Sequence, residues 1–298
     1  MPNYDFITYE TLDDGRIARI TLNRPELRNA QNRGMLVELD AAFRAAEADD
    51  QIRVVILAGA GPSFSAGHDI GSPDAVADLT KGPGAHPTTA INGGGRLAIE
   101  GWMLQEWHYY FQNTRYWRDL RKITIAQVQG NVLAAGLMLA WACDLIVASD
   151  DAVFADVVTS RLGMVGVEYF AHPWEFGARK AKELLLTGDS IDADEAHRLG
   201  MVSKIFPRDE LADKTLEFAR RIASRPTIAA LLVKDSINQT LDQAGFSSAL
   251  RSNFYVHQLN HAHWREINGD GFPSAKPGVD VADWRTAGKP QPARRDVP

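Results

Sequence analysis

The sequence predicts an α/β fold, because short apolar strands alternate with amphipathic helices through the first half of the chain. The segment Arg53–Ala58 (RVVILA) has the composition of a fully buried strand and is followed by a glycine. Apolar residues recur at helical spacing through Asn32–Asp49, which predicts an amphipathic helix. The other predicted elements of this half are strands at Arg16–Leu22, Thr124–Gln129 and Asp144–Ser149 and a small apolar helix at Leu133–Ala142.

Helical patterns dominate the sequence from Ala171 onward. A capping box at Asp192–Glu195 marks the start of one short helix. Three longer helices are predicted over Arg208–Ser224, Thr227–Leu241 and Phe246–Asn268. These patterns divide the chain into an α/β core over 1–205, a helical region over 206–268 and an extended tail over 269–298.

An insertion near residues 72–117 interrupts the pattern of the core. Its first part, Ser72–Gly101, has no regular period and is predicted to be a surface loop or lid. The run Gly93–Gly95 fits a flexible loop better than a phosphate cradle, because no apolar strand precedes it and no Lys-Ser/Thr pair follows. The second part, Trp102–Trp117, is rich in aromatic residues and is predicted to pack in the core or at a subunit interface.

The composition excludes several classes of function. The 298 residues carry a net charge of −6, which gives no support for binding to nucleic acid or to an anionic membrane. The single cysteine, Cys143, rules out a disulfide within the chain and favours a reducing compartment. We expect no signal peptide and no membrane span, because no apolar run has the required length. The prediction is therefore a soluble, cytoplasmic protein.

Two turns of small residues follow predicted strands. Ser63–Ile70 (SFSAGHDI) comes after the strand that ends at Ala58, and small residues there let a ligand approach the backbone closely. The second turn, Gly130–Ala134, leads into the predicted apolar helix. The free N–H groups and the dipole at the N-terminus of a helix favour a developing negative charge.

Together with Leu22–Asn32 (LNRPELRNAQN), these two turns resemble the motifs of the crotonase family, also called the enoyl-CoA hydratase/isomerase family. The resemblance extends over roughly residues 5 to 265. It implies a crotonase (ClpP/crotonase-like) fold of repeated ββα units, with the C-terminal helical region forming a homotrimer or a dimer of trimers. It also implies an enzyme of fatty acid metabolism that acts on an acyl-CoA thioester, with no cofactor beyond the coenzyme A of the substrate.

The resemblance assigns the binding residues individually. The oxyanion hole of the family consists of two main-chain N–H groups, which correspond here to those of His68 and Ala135. A basic residue of a C-terminal helix often helps to bind phosphate, and Lys234 is the candidate in this chain. Coenzyme A is expected along both oxyanion residues and along Arg28, Ala30, Ala66, Asp69 and Ile70.

The residues that transfer protons depart from the family pattern. Hydratases of the family use two glutamates, and the corresponding positions here are Met138 and Val158, which cannot transfer a proton. Asp156 and Glu168 lie close by in sequence and are the candidate catalytic acids or bases. Each also has a plain alternative, because Asp156 suits the cap of a turn and Glu168 a solvated surface position.

Three classes of function therefore stay open. The first is hydration or double-bond migration through an enolate, the second is thioester hydrolysis or decarboxylation, and the third is acyl-CoA binding without turnover. No metal site is predicted, because the chain contains neither H-E-x-x-H nor paired cysteines. No G-x-S-x-G elbow and no G-x-G-x-x-G after a strand are present, so a serine-hydrolase site and a nicotinamide cofactor are not indicated.

Overall fold

The computed structural model describes residues 4–73, 75, 88–96 and 98–268, so the predicted tail lies outside the described residues. The strands are β1 (Ile7–Leu12), β2 (Ile17–Leu22), β3 (Val54–Gly59), β4 (Ile123–Val128), β5 (Asn131–Leu133), β6 (Leu145–Ser149), β7 (Val153–Ala155), β8 (Ile191–Asp192) and β9 (Lys204–Phe206). The α-helices are α1 (Arg33–Ala48), α2 (Ala98–Gln105), α3 (Asn113–Arg118), α4 (Ala135–Trp141), α5 (Val158–Leu162), α6 (His172–Thr187), α7 (Ala193–Arg198), α8 (Leu211–Ala223), α9 (Thr227–Gln243) and α10 (Phe246–Asn268). A π-helix, Glu106–Gln112, joins α2 to α3.

Six strands form the main sheet in the order β1-β2-β3-β4-β6-β9. Strand β1 is antiparallel to β2, and each later pair of neighbours is parallel. Strand β4 is buried along its whole length, as expected for a parallel strand covered on both faces. Because β3 and β4 are parallel neighbours, the two small-residue turns leave the sheet at the same edge.

A smaller sheet of β5, β7 and β8 supports the second of these turns. Strand β5 is parallel to β7, and the N–H of Ala134 donates to the carbonyl oxygen of Ala155 at 2.9 Å. This hydrogen bond fixes the chain immediately before α4 begins at Ala135. The position of the turn is therefore set by a sheet on one side and a buried helix on the other.

Helix α1 forms as its apolar spacing predicts. The side chain of Asn32 caps the helix by accepting a hydrogen bond from the N–H of Met35 at 2.9 Å. Met35, Leu39 and Phe43 are fully buried against the main sheet, so the apolar face of α1 covers the core.

The aromatic stretch of the expected insertion is helical and belongs to the core. Tyr109, Phe111 and Trp117 are buried in the main hydrophobic cluster. The ring of Trp117 packs against Phe43 of α1 with the centroids 5.3 Å apart. The predicted loop Ser72–Gly101 contains a 3-10 turn at Ala90–Asn92. Residues 76–87 of this loop lie outside the described residues.

The C-terminal helices serve two different surfaces. Helix α8 covers the second face of the main sheet with Leu211, Ala219 and Ala223. Helices α9 and α10 extend beyond the sheet, and both carry exposed apolar side chains. Within the described residues, no helix is both long and apolar enough to cross a membrane.

Candidate active site

The turns after β3 and β4 are in direct contact. Ser65 pairs with β5, because its N–H donates to Asn131 at 3.2 Å and its carbonyl accepts from Leu133 at 2.9 Å. Gly67 has a φ of +98°, and a Cβ there would lie 3.0 Å from the carbonyl oxygen of Leu133 and 3.2 Å from the nitrogen of Ala135. Position 67 therefore needs glycine for both its conformation and its close contact with the second turn.

The backbone of His68 presents its N–H on the side of this second turn. The carbonyl of Gly67 accepts from the N–H of Gln31 at 2.8 Å, and the N–H of Asp69 donates to the carbonyl of Gln31 at 2.9 Å. Successive N–H groups of an extended strand point in opposite directions, so the N–H of His68 points away from Gln31. Within the described part of the chain, no backbone hydrogen bond uses it.

The N–H of Ala135 is the second donor group at this place. Ala135 is the first residue of α4, and the first N–H groups of a helix have no acceptor within it. The preceding residue, Ala134, has φ +48° and ψ −119°, which side-chain-bearing residues rarely adopt. Such strain is maintained only where the surrounding contacts require it, and it accumulates at functional sites. The two turns therefore bring a pair of backbone donors to one side of the sheet edge.

Asn29 ties the first turn to the sheet. Its Nδ2 donates to the carbonyl oxygens of Ala60, Ser63 and Phe64 at 2.9, 2.9 and 3.1 Å. Its Oδ1 accepts from the N–H of Arg24 at 2.9 Å. Asn29 is completely buried and has a positive φ of 53°, a conformation that asparagine tolerates better than most residues. One side chain thus fixes the loop on which the first donor depends.

Ser65 adds a second set of internal hydrogen bonds. Its Oγ donates to the carbonyl of Asn29 at 2.8 Å and accepts from Nε2 of Gln31 at 3.0 Å. The N–H of Gly67 is a longer donor to the same oxygen, at 3.3 Å. These contacts set the backbone of the turn before any ligand is bound, which is the preorganisation that oxyanion stabilisation requires.

The carboxylate of Asp69 is occupied by the protein itself. Its Oδ2 lies 2.8 Å from Nη1 of Arg24 in a buried ion pair, and Ser72 donates from both its Oγ and its N–H. Burial alone would raise the pKa of Asp69, but the hydrogen bonds from Ser72 and Arg24 outweigh it and keep the pKa below its ordinary value. The side chain predicted to accompany coenzyme A therefore braces the loop.

A cleft opens beside these turns. It has a volume of about 490 Å³ and is lined by Leu27, Ala30 and the segment 68–73. Four of the residues expected along coenzyme A line it, namely Ala30, His68, Asp69 and Ile70. Arg28 and Ala66 are not among its lining residues, although the carbonyl of Arg28 accepts from the N–H of Ala66 at 2.9 Å.

The imidazole of His68 contacts a carboxylate and an aromatic ring. Its Nε2 lies 3.3 Å from Oε2 of Glu168, and its ring stacks on Tyr110 with centroids 3.6 Å apart. Burial alone would raise the pKa of Glu168, but the charge and hydrogen bond of His68 and the charge of His257 lower it to about 2. Glu168 is therefore ionised at neutral pH despite being buried.

Asp156 has a different environment. Its Oδ1 accepts from the N–H of Val158 at 2.9 Å, and its Oδ2 accepts from the N–H of Val167 at 3.0 Å and contacts Nε2 of His172 at 2.8 Å. This side chain therefore ties the first residue of α5 to the loop that carries Glu168. Of the two candidate carboxylates, only Glu168 contacts His68 within the described residues.

A family model, sequence relatives and solved structures all identify the same family. The family model for enoyl-CoA hydratase/isomerase matches residues 13–78 and 104–269. EchA13 of Mycobacterium tuberculosis, provisionally named an enoyl-CoA hydratase, is 64% identical over 295 residues, which are 99% of this chain and 93% of that protein. The chain belongs to the enoyl-CoA hydratase/isomerase family.

Solved structures of enoyl-CoA hydratase/isomerase relatives share the fold. A crystal structure from Mycobacterium smegmatis, provisionally titled an enoyl-CoA hydratase, is 42% identical with a TM-score of 0.78 and covers 90% of this chain and 98% of that one. An enoyl-CoA hydratase/isomerase from Xanthobacter autotrophicus Py2 is 30% identical with a TM-score of 0.77 and covers 97% of this chain and 100% of that one. The predicted crotonase fold is confirmed.

The family positions for the two glutamates are filled by apolar side chains. Met138 lies in α4 and is 2% exposed, and Val158 is the first residue of α5 and is also buried. Both belong to the main hydrophobic cluster. Neither of these side chains carries a group that can transfer a proton.

Lys234, Asp144 and Cys143 lie outside the cleft, and their contacts support the fold. Nζ of Lys234 is buried, lies 3.0 Å from Oδ2 of Asp144 and donates to the carbonyl of Lys122 at 3.0 Å. The lysine is therefore already paired and is not free to bind a phosphate of coenzyme A as expected. Asp144 also accepts a hydrogen bond from the N–H of Thr124. Burial raises the pKa of Cys143 to about 12, so its thiol stays protonated and unreactive at neutral pH.

Some residues of the site have no motif in the sequence. Tyr110 and His257 come from the aromatic segment and from α10, and both reach the His68–Glu168 pair through tertiary packing. The only sequence pattern that involves either residue is the spacing of His257 and His261, which lie four residues apart and therefore on one face of a predicted helix. No sequence period connects either histidine with position 68.

Proposed function

We propose that this family member acts on an enoyl-CoA thioester through an enolate, by adding water across the double bond. The observation that carries the proposal is the convergence of two backbone donors, at His68 and Ala135, beside the buried carboxylate of Glu168. The names of the relatives as enoyl-CoA hydratases agree with it.

The two backbone donors supply charge stabilisation. Water addition to an enoyl thioester, or loss of a proton next to the thioester, leaves negative charge on the thioester oxygen. Fixed N–H groups of His68 and Ala135 stabilise this oxyanion more than the neutral carbonyl of the substrate, so they lower the barrier. One such donor is typically worth about a hundredfold to a thousandfold in rate.

The His68–Glu168 pair supplies the proton transfer. Hydration needs one group that removes a proton from water and one that protonates carbon, and the family glutamates are absent at Met138 and Val158. A carboxylate and an imidazole 3.3 Å apart can hold and exchange one proton between them. We assign the transfer at the substrate to Glu168 and the role of its proton-sharing partner to His68.

Double-bond migration is the second candidate. It needs only one carboxylate, which removes a proton from one carbon and returns it to another. Met138 and Val158 are apolar, and Glu168 is the only carboxylate in contact with His68 among the described residues. This single carboxylate is the observation in favour of migration. Migration uses the same oxyanion hole, but it moves a proton from one carbon to another and shifts the double bond, with no addition of water.

Thioesters that differ in double-bond position separate these reactions. With 2-enoyl-CoA substrates of increasing chain length, hydration removes the ultraviolet absorbance of the conjugated thioester. With 3-enoyl-CoA substrates, migration creates that absorbance, while thioester hydrolysis releases a free thiol in either case. Turnover of neither series, in a protein that still binds coenzyme A esters, would contradict the proposal and favour a binding function.

We also propose that the chain assembles into a homotrimer or a dimer of trimers in the cytoplasm. Support comes from large apolar side chains that α9 and α10 leave exposed, namely Ile228, Leu232, Val233, Ile237, Tyr255 and Leu259. Exposed apolar surface of this extent on neighbouring helices is typical of a protein interface. Light scattering after size-exclusion chromatography tests the assembly, and a monomer at micromolar concentration would contradict it.

A further inference from the structure

A second cluster of ionisable side chains lies behind Glu168, between the π-helix and α10. Glu106 is the first residue of the π-helix, and His257 and His261 are one turn apart on α10. Each of the three side chains is at most 5% exposed. The mechanism proposed above uses none of them.

The potential ligand atoms of this cluster face one another. Nε2 of His261 lies 3.1 Å from Oε1 of Glu106, and Nε2 of His257 lies 3.0 Å from Nε2 of His261. One nitrogen or oxygen atom from each of the three residues lies within 4.8 Å of the other two. The three side chains thus converge on a single point.

Hydrogen bonding alone accounts poorly for this convergence. Nε2 of His257 faces His261 at 3.0 Å, an oxygen of Glu168 at 3.6 Å and one of Glu106 at 3.8 Å. A ring nitrogen carries at most one proton and can direct it to only one of these neighbours. Nδ1 of His257 is buried and has no hydrogen-bond partner among the described residues.

The buried carboxylates also require a positive charge. An ionised carboxylate is costly to bury unless a cation accompanies it. A protonated His261 is one source of that charge, because Glu106 raises the pKa of this imidazole although burial, the larger single effect, lowers it. A bound metal ion is the other source, and it satisfies all the converging atoms at once.

Two of the three separations between the potential ligand atoms are close to those around a zinc ion, and the third, 3.8 Å between Nε2 of His257 and Oε2 of Glu106, is longer. Zinc binds imidazole nitrogen at about 2.0–2.1 Å and carboxylate oxygen at about 2.0–2.2 Å. Neighbouring ligand atoms of such a tetrahedral site are therefore about 3.3 Å apart, close to the 3.0 and 3.1 Å found here. Two imidazoles and one carboxylate are a donor set that zinc favours over magnesium or calcium.

A neighbouring amide holds the carboxylate in position. Nε2 of Gln258 donates to Oε2 of Glu106 at 2.5 Å, which leaves Oε1 directed at His261. Groups that orient a ligand in this way are a regular part of metal sites.

We propose that Glu106, His257 and His261 form a binding site for one divalent transition-metal ion of the zinc type. Three protein ligands leave a fourth position for water. The ion cross-links the π-helix to α10 and supports the packing behind the proposed active site. Its binding is independent of the reaction, so failure of the proposed function would leave it intact.

The test uses the full chain without an affinity tag, stripped with a chelator and then titrated with Zn²⁺ or Co²⁺ alone. We expect one ion per chain and, with cobalt, the intense visible absorption of a tetrahedral site. Glu106→Gln and His261→Gln should each weaken binding at least tenfold. His263→Gln is the matched control, because His263 is an exposed histidine on the same helix, and it should bind like the unaltered chain.

Two results would overturn the site. The first is the lack of stoichiometric binding and of cobalt absorption in the unaltered chain, a measurement that does not depend on whether any variant folds. The second is equal affinity of the unaltered chain and of the Glu106 and His261 variants, with circular dichroism showing that both are folded. In either case the cluster is a metal-free network with a protonated His261.

Discussion

Nε2 of His68 and Oε2 of Glu168, which are 100 residues apart in the chain, lie within 3.3 Å of each other. The backbone N–H of the same histidine is one of the two proposed oxyanion donors. In the proposed mechanism, charge stabilisation and proton transfer therefore meet at one residue, so a shift of the loop 63–70 would affect both. This contact also separates Glu168 from Asp156, which the sequence left as equal candidates.

Replacing Glu168 by Gln should abolish proton transfer while keeping the shape of the side chain. We expect kcat to fall by about a hundredfold to ten-thousandfold, the usual contribution of a general acid or base. The free energy of unfolding should also fall, because His68 and His257 stabilise the ionised Glu168 in the folded state. Steady-state kinetics and denaturant unfolding on the same samples measure both quantities.

Asp156→Asn is the matched control for that experiment. Its carboxylate accepts from the N–H groups of Val158 and Val167, so the amide should destabilise the fold by about 1–3 kcal/mol. A catalytic loss confined to Asp156→Asn, with normal turnover in Glu168→Gln, would reverse the assignment of the two carboxylates.

Replacing Gly67 by Ala should damage the proposed oxyanion hole while every other side chain of the site keeps its identity. The new Cβ would lie 3.0 Å from the carbonyl oxygen of Leu133 and 3.2 Å from the nitrogen of Ala135, and the residue has a φ of +98°. We expect a loss of about a hundredfold to a thousandfold in kcat, equal to the loss of one donor.

Gly71→Ala tests whether that loss is specific. Gly71 lies in the same loop and has no positive φ, and its Cβ would lie more than 4 Å from any neighbour among the described residues. This variant should keep nearly the full kcat, and any effect should fall on KM, because Gly71 lines the cleft. Equal rates for the two alanine variants would show that the contact between the two turns does not position the donors.

The sequence predicted those elements of the fold in which apolar residues recur at a regular spacing over many residues. Helix α1 and the three C-terminal helices lie within three residues of their predicted bounds, because their apolar spacing persists over many residues. Strands β7, β8 and β9 contain only two or three residues, too few to show an alternation. Their positions depend on pairing with distant strands, which a single sequence does not show.

The contact between the two turns of the candidate site was predictable where small residues determine the backbone. Loop motifs with glycine at position 67 indicate the two N–H donors, because such a close approach tolerates few sequences. Side chains that meet only after folding leave no such pattern. The contact of His68 with Tyr110, and that of Glu106 with His261, join segments with no common period.

Removing the amide of Asn29 should destabilise the protein. Asn29→Ala leaves the carbonyl oxygens of Ala60, Ser63 and Phe64 without this donor in a buried setting, and alanine tolerates the positive φ poorly. We expect a loss of roughly 2–4 kcal/mol in the free energy of unfolding. Asn260→Ala, which removes one long surface hydrogen bond of 3.4 Å, is the control and should change stability by less than about 0.5 kcal/mol.

Glu175 should make stability fall as the pH rises toward neutrality. Burial raises the pKa of this α6 carboxyl group from 4.5 to about 7, and it has no ion-pair partner among the described residues. A carboxyl group with a raised pKa in the folded state favours the protonated form. Its contribution is fully present below pH 4.5, and it declines as the pH rises through about 7.

Glu175→Gln, which is neutral at every pH, should remove this dependence. At pH 8 the variant should be more stable than the unaltered chain by roughly 1–2 kcal/mol, since one unit of pKa corresponds to about 1.4 kcal/mol and the side chain retains some contact with solvent. Near pH 4.5 both proteins should unfold at the same denaturant concentration, because Glu175 is then protonated in the folded state. A difference of constant size across this range would mean that the amide stabilises α6 by packing or hydrogen bonding rather than by removing a buried charge.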